Sequence, residues 1–229
     1  MRRLLVLLLV LGALFVGVDR IALKFAERAV ATQARSAGGL ASDPTVSITG
    51  FPFLTQAFRG SYDDVEVTAS DLKRGGVRLL SLRADLRDVQ VSLQDALGGK
   101  VSAVPVRAIS ATAVLGYADL TAAHGRGFTV TPTADGLLRV TGRLTVLGQT
   151  MQASAVSSVR LDGRTIVVTA RRLEVGGRAV SLPMAAALGN RLDLRVPITG
   201  LPYGLELTTV SATADGLVLT ARAGPTILR

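Results

Sequence analysis

After Pro44 the apolar residues fall into a period of two and keep it over most of the remaining chain. Leu138, Val140, Leu144 and Val146 alternate with Arg139, Thr141, Arg143 and Thr145. Met151, Ala153, Ala155, Val159 and Leu161 alternate with Thr150, Gln152, Ser154, Ser158 and Arg160. A period of two sends one set of side chains to each face of an extended chain, so the pattern calls for half-buried strands. Val65 and Val67 continue it earlier, and Leu80, Leu82, Ala84 and Leu86 line one face. The apolar parity then shifts to Val89, Val91 and Leu93, which predicts a bulge or strand break near Arg87-Asp88. Val106–Leu115 is a further strand candidate. Asp135-Gly136, Asp162-Gly163 and Asp215-Gly216 each separate strand-like runs and predict hairpin turns. Helical pieces are expected at Ser92–Leu97, Tyr117–Ala123 and Pro183–Leu188, with Gly98-Gly99, Gly125 and Gly189 as stops.

The N-terminus follows a different rule. Fifteen uncharged apolar residues, Leu4 to Val18, stand behind Met1-Arg2-Arg3. This is the layout of an export signal. The run is short for a membrane span of roughly 17–25 residues. No small-x-small cleavage pattern follows Val18, and Ala29-Val30-Ala31 lies far downstream. The segment therefore reads as a signal anchor rather than a cleaved signal peptide. Arg2 and Arg3 place its start in the cytoplasm by the positive-inside tendency, with the rest of the chain outside. If the segment is cleaved, the protein is secreted. Asp19 to Arg35 reads as an amphipathic helix with Ala22, Phe25, Ala26, Ala29, Val30 and Gln33 along one face. It continues from the apolar run without a break and stops at Ser36-Ala37-Gly38-Gly39. The expected architecture is α+β, a long antiparallel sheet with one N-terminal helix. Residues 1–18 form the anchor or signal, and 19–229 a single domain with no low-complexity linker.

Composition narrows the chemistry. The chain has no cysteine, which excludes disulfides, thiol catalysis and a lipid-modified N-terminal cysteine. The formal charge is +9, and 23 of the 26 basic residues are arginine. Residues 126–195 carry ten arginines against Asp135, Asp162, Glu174 and Asp193. Such a balance suits an anionic partner, and beside a membrane that partner is phospholipid headgroups. Aromatics make up only 4% of the chain and tryptophan is absent, so the stacking platforms of nucleic-acid binders are missing. His124 is the sole histidine and has no Gly-x-Ser-x-Gly elbow beside it. On a strand, Asp64 and Glu66 share a face that Asp63 does not, so these acids are a poor metal set. No phosphate-loop spacing occurs. Neither catalytic residues, nor a metal, nor a cofactor is expected.

Two segments stand out. Gly50-Phe51-Pro52-Phe53-Leu54-Thr55-Gln56, with Phe58 and Tyr62, gathers four of the nine aromatic residues. Gly200-Leu201-Pro202-Tyr203-Gly204-Leu205 repeats the Gly-x-Pro-aromatic pattern. Both predict proline-fixed turns at a sheet edge, as aromatic corners of the core or as an apolar lip. Taken with the anchor, the helix, Gly60-x-Tyr62 and the later Asp215-Gly216-Leu217, they make the chain resemble the LmeA family of actinobacterial envelope proteins that bind phospholipid. The resemblance implies a tubular lipid-binding (TULIP-like) fold, with a long curved sheet wrapping a helix. It also implies a place in the cell envelope, where the family is linked to lipoglycan (mannan) assembly. Phospholipid or another acylated lipid, the membrane and an envelope-assembly enzyme are the expected partners. An anchored scaffold without a lipid cavity is the competing expectation. Phe51, Phe53, Leu54 and Phe58 are the expected contacts for lipid tails or the bilayer. Arg139, Arg143, Arg171 and Arg172 are the expected phosphate ligands, placed at a rim, since guanidinium grips phosphate bidentately.

Overall fold

The computed structural model describes residues 1–38, 40, 42–74, 77–97, 101, 103–123, 128–146, 149–180, 194–198 and 201–228. His124 and the expected helix at Pro183–Leu188 lie outside the described residues.

The apolar run and the amphipathic segment are one helix, α1 (Arg2–Gly38), of 37 residues and about 55 Å. Residues 2–18 are exposed throughout, and Asp19 is the first buried position. Beyond it, Ala22, Leu23, Ala26, Glu27, Ala31 and Ala34 are buried or half-buried. Phe25, Ala29, Val30 and Gln33, expected on the inner face, are exposed instead. The reason is chemical. Asp19 and Glu27 sit on the inner line because each accepts a backbone N–H there, from Leu54 at 2.8 Å and from Ile48 at 3.1 Å. Apolar periodicity alone cannot see a buried acid that has a donor waiting for it.

The strands are β1 (Thr45–Thr49), β2 (Ser61–Arg74), β3 (Val77–Gln90), β4 (Val104–Leu115), β5 (Phe128–Pro132), β6 (Leu138–Val146), β7 (Gln149–Asp162) and β8 (Thr165–Val175). They continue as β9 (Arg178–Ala179), β10 (Leu194–Pro197), β11 (Glu206–Ala212), β12 (Leu217–Ala223) and β13 (Thr226–Leu228). Among the described residues, three short helices accompany them: α2 (Phe53–Arg59), α3 (Leu93–Leu97) and α4 (Tyr117–Ala123). The fold is α+β with a long N-terminal helix, as the sequence predicts, but the strands make two antiparallel sheets. One runs β1-β2-β3-β4-β12-β11 with β13 against β4, and the other β10-β8-β7-β6-β5 with β9 against β8. Neither closes on itself.

The chain clusters into two compact units. The first comprises Met1–Ala69, Arg83–Ser110 and Ala223–Arg229, and the second Ser70–Leu82 and Ala111–Arg222. Strands β2, β3 and β4 contribute residues to both, so no linker marks the division in sequence. In the first unit, β1 alternates exposed and buried residues, sending Val46 and Ile48 inward, and α1 packs against β1 and α2. Asp88 takes a positive φ of 49° near the end of β3, where the apolar parity shifts.

In the second unit, Leu138, Val140, Val168, Leu115, Leu120 and Leu217 form one apolar cluster. All three Asp-Gly pairs fall at hairpin turns. Gly136 and Gly163 adopt φ of 68° and 59°, a region that glycine enters without strain. In the third turn the Thr213 N–H donates to the Gly216 carbonyl at 3.0 Å. A Cβ on Gly216 would overlap the Leu115 carbonyl oxygen, so only glycine fits there. The Tyr117 hydroxyl donates to the Thr213 carbonyl at 2.5 Å and pins this turn to α4. Burial raises its pKa above the ordinary tyrosine value of 10.0, which keeps it a donor.

Candidate functional site

The aromatic segment is built in the first unit by an exchange of hydrogen bonds. Pro52 begins α2 with no side-chain oxygen to cap it. The first N–H groups of a helix need external acceptors. Asp19 of α1 supplies one, its Oδ1 accepting the Leu54 N–H at 2.8 Å. The Asp19 carboxylate is 0% exposed, and its second oxygen lies 3.8 Å from the Arg20 guanidinium. Gln56 is buried as well: its Nε2 donates to the Thr49 carbonyl and its Oε1 accepts the Asp63 N–H, both at 3.1 Å. Gly60 ends the helix in the left-handed region with φ 67°.

This scaffold sorts the aromatic residues into two sets. Phe53 is 5% exposed and lies 6.1 Å, centroid to centroid, from Tyr62. Leu54 is half-buried. Phe51 and Phe58 are 58% and 79% exposed. The Arg20 guanidinium sits 5.0 Å above the Phe51 ring, a cation–π pair beside the end of the apolar run. The second Gly-x-Pro-aromatic segment forms a 3-10 turn, Pro202–Gly204, with Tyr203 at φ 57°. A recess of about 550 Å³ also lies in the first unit, between Asp88, Pro105, Val106, Arg107 and Ile227. That is a size typical of ligand sites, though Arg107 and Asp88 face each other across a 2.5 Å ion pair within it.

In the second unit the four expected arginines share one sheet face. Directly opposed residues of neighbouring strands point to the same side. Arg139 of β6 opposes Val156 of β7, which opposes Arg172 of β8. Arg143 opposes Gln152, on the same face as Val156. Arg171 would normally point away from Arg172. The register of β7 against β8 shifts between Val156 and Ser157, leaving Arg171 as an extra residue. Its Nε donates to Ser158 Oγ at 2.9 Å, on the Arg172 face. Two arginines missed in the sequence join them: Arg160 and Arg195 both oppose Val167. All six are exposed. The arginines expected at a rim thus share one face of a sheet, exposed at the arginines themselves but covered at Val167, which is 1% exposed. The signal for Arg160 was present, since it alternates with Val159 and Leu161, whereas the pairing of β10 with β8 is written nowhere locally.

Among the described residues no group of three or more His, Asp or Glu side chains converges. Among the described residues one helix, α1, is long and apolar enough to cross a membrane. The chain therefore combines a membrane-length apolar helix, open antiparallel sheets and a basic sheet face. Residues 17–222 match the family model of LmeA-like phospholipid-binding proteins, and the chain belongs to that family. No curated protein and no solved structure matches it.

Proposed function

We propose that this protein is a membrane-anchored, extracytoplasmic phospholipid-binding protein that performs no catalysis. Membership of the phospholipid-binding family supports the ligand class. The observation that carries the anchoring is the exposure of α1. Residues 2–18 are all exposed, so an aqueous setting would leave this apolar surface bare. Leu4–Val18 alone spans about 22 Å of helix, less than the roughly 30 Å hydrocarbon core. The apolar stripe runs on, however. Leu14, Val18, Ile21 and Phe25 are spaced by four, three and four residues and all are exposed. On this side the apolar stretch runs from Leu4 to Phe25, a span of 22 residues, or about 33 Å. Arg20 and Lys24 flank the stripe with side chains long enough to reach the headgroups. Support of lipoglycan assembly belongs to the same reading, with lipid presented to enzymes that work at the membrane surface.

Orientation is tested on wall-stripped bacterial cells expressing the full chain with a tag at each end. Added protease should remove the C-terminal tag while the N-terminal tag stays protected and membrane-bound. A C-terminal tag that survives until the cells are lysed would contradict the placement. A mature N-terminus near Asp19 or Thr32 would replace the anchor with a cleaved signal.

A further inference from the structure

We infer that the arginine face of the β10-β8-β7-β6-β5 sheet is a contact surface for the headgroups of anionic phospholipids, several at a time. The inference rests on the phospholipid-binding reading and adds the headgroup class and its place on the protein. Among the described residues, six exposed arginines, at 139, 143, 160, 171, 172 and 195, meet two acids on this face, Glu174 and Asp162. Glu174 accepts a hydrogen bond from Ser154, and Asp162 lies 3.8 Å from Arg160. Arg139, Arg143, Arg172 and Arg195 have no side-chain hydrogen bond or ion pair among the described residues. Unpaired guanidinium groups retain their full fork of donors for an external oxyanion.

Spacing distinguishes an array of phosphates from one bound anion. Arg139 and Arg143 are four residues apart on one strand, about 13 Å, and Arg139 and Arg172 are two strands apart, about 10 Å. At such separations each arginine takes its own phosphate. Between them lie Thr129, Thr131, Thr141, Gln152 and Ser158, which hydrogen-bond, and two valines, Val156, half-buried, and Val167, 1% exposed. The face carries no aromatic ring to stack on a base, which disfavours nucleic acid. The β7–β8 register shift supports the assignment, because it turns a neighbouring pair, Arg171 and Arg172, onto one side.

The chain has no cysteine, so a single Gln152→Cys supplies one fluorescent label on the face. The labelled full chain is reconstituted into vesicles carrying nitroxide headgroups, made either of phosphatidylcholine or of equal parts phosphatidylcholine and phosphatidylglycerol. Quenching is expected only with phosphatidylglycerol, and should fall as salt rises. Arg139→Gln, Arg143→Gln, Arg171→Gln and Arg172→Gln together should abolish it, at roughly fivefold in affinity per arginine. The single variants Arg139→Gln and Arg172→Gln, checked by thermal melting, cover the case in which the fourfold variant misfolds. Equal quenching in both vesicle types, or quenching unchanged in folded arginine variants, would overturn the inference. So would binding of inorganic polyphosphate without any vesicle contact, which would assign the face to a soluble polyanion. A second label at Leu9→Cys, read with nitroxides on the acyl chains, reports insertion of α1 separately. The anchored reading then stands or falls independently of the arginine face.

Discussion

Replacing Leu9 and Leu11 with arginine is expected to release the protein from the membrane without altering its fold. Both leucines lie in the exposed stretch of α1, at 73% and 51% exposed. An arginine at the centre of a spanning helix costs about 2.5–3.5 kcal/mol in insertion, so two cost about 5–7 kcal/mol. An insertion equilibrium moved that far changes sides. The L9R/L11R protein should pass from the carbonate-resistant membrane pellet to the soluble fraction or fail to be exported. Its circular dichroism and melting temperature should stay within error of the parent. Retention in the pellet would mean that the domain, not α1, holds the membrane.

The second large effect separates two phenylalanines only five residues apart. Phe53→Ala should destabilise the first unit by about 3–5 kcal/mol, because it removes a buried aromatic side chain and leaves a cavity beside Tyr62. Phe58→Ala, at a position 79% exposed, should change stability by less than about 0.5 kcal/mol. Denaturant unfolding of the two variants reads the difference. Burial also holds the Tyr62 hydroxyl above the usual tyrosine pKa of 10.0, so its contribution is complete below that pH and is lost above it. The comparison should therefore be made near neutrality. A matching loss at Phe58 would show that α2 presents a different face from the one described.

Much of this architecture can be read in the chain because its signals are local. Strands β6 and β7 follow from alternation at Leu138–Val146 and Met151–Leu161, and α4 coincides with the helix expected at Tyr117–Ala123. The hairpins follow from Asp-Gly, whose glycine admits the positive φ such turns need. What escaped is what depends on distant partners. Helix α2 is seven residues long, too short for its period to register, and its cap comes from Asp19, 35 residues upstream. The inner face of α1 departs from the apolar stripe because Asp19 and Glu27, which read as surface residues in the sequence, accept the Leu54 and Ile48 N–H groups there. Division of the strands into two sheets is likewise a matter of pairing, not of pattern. The aromatic segment was recognised as unusual, but not that Phe53 turns inward while Phe51 and Phe58 remain outside. Of the arginines, Arg139 and Arg143 follow from parity alone, whereas Arg171 reaches the same face only through the register shift.

Phospholipid binding by the full chain can be read by native mass spectrometry. The full chain, stripped of lipid in a neutral detergent, is titrated with phosphatidylglycerol and, separately, with a neutral glycolipid of matched acyl length. Discrete phosphatidylglycerol adducts are expected to survive ejection from the micelle, to outnumber the glycolipid adducts and to decline in the fourfold arginine variant. Bare protein at every lipid concentration, or equal adducts with both lipids, would contradict this expectation.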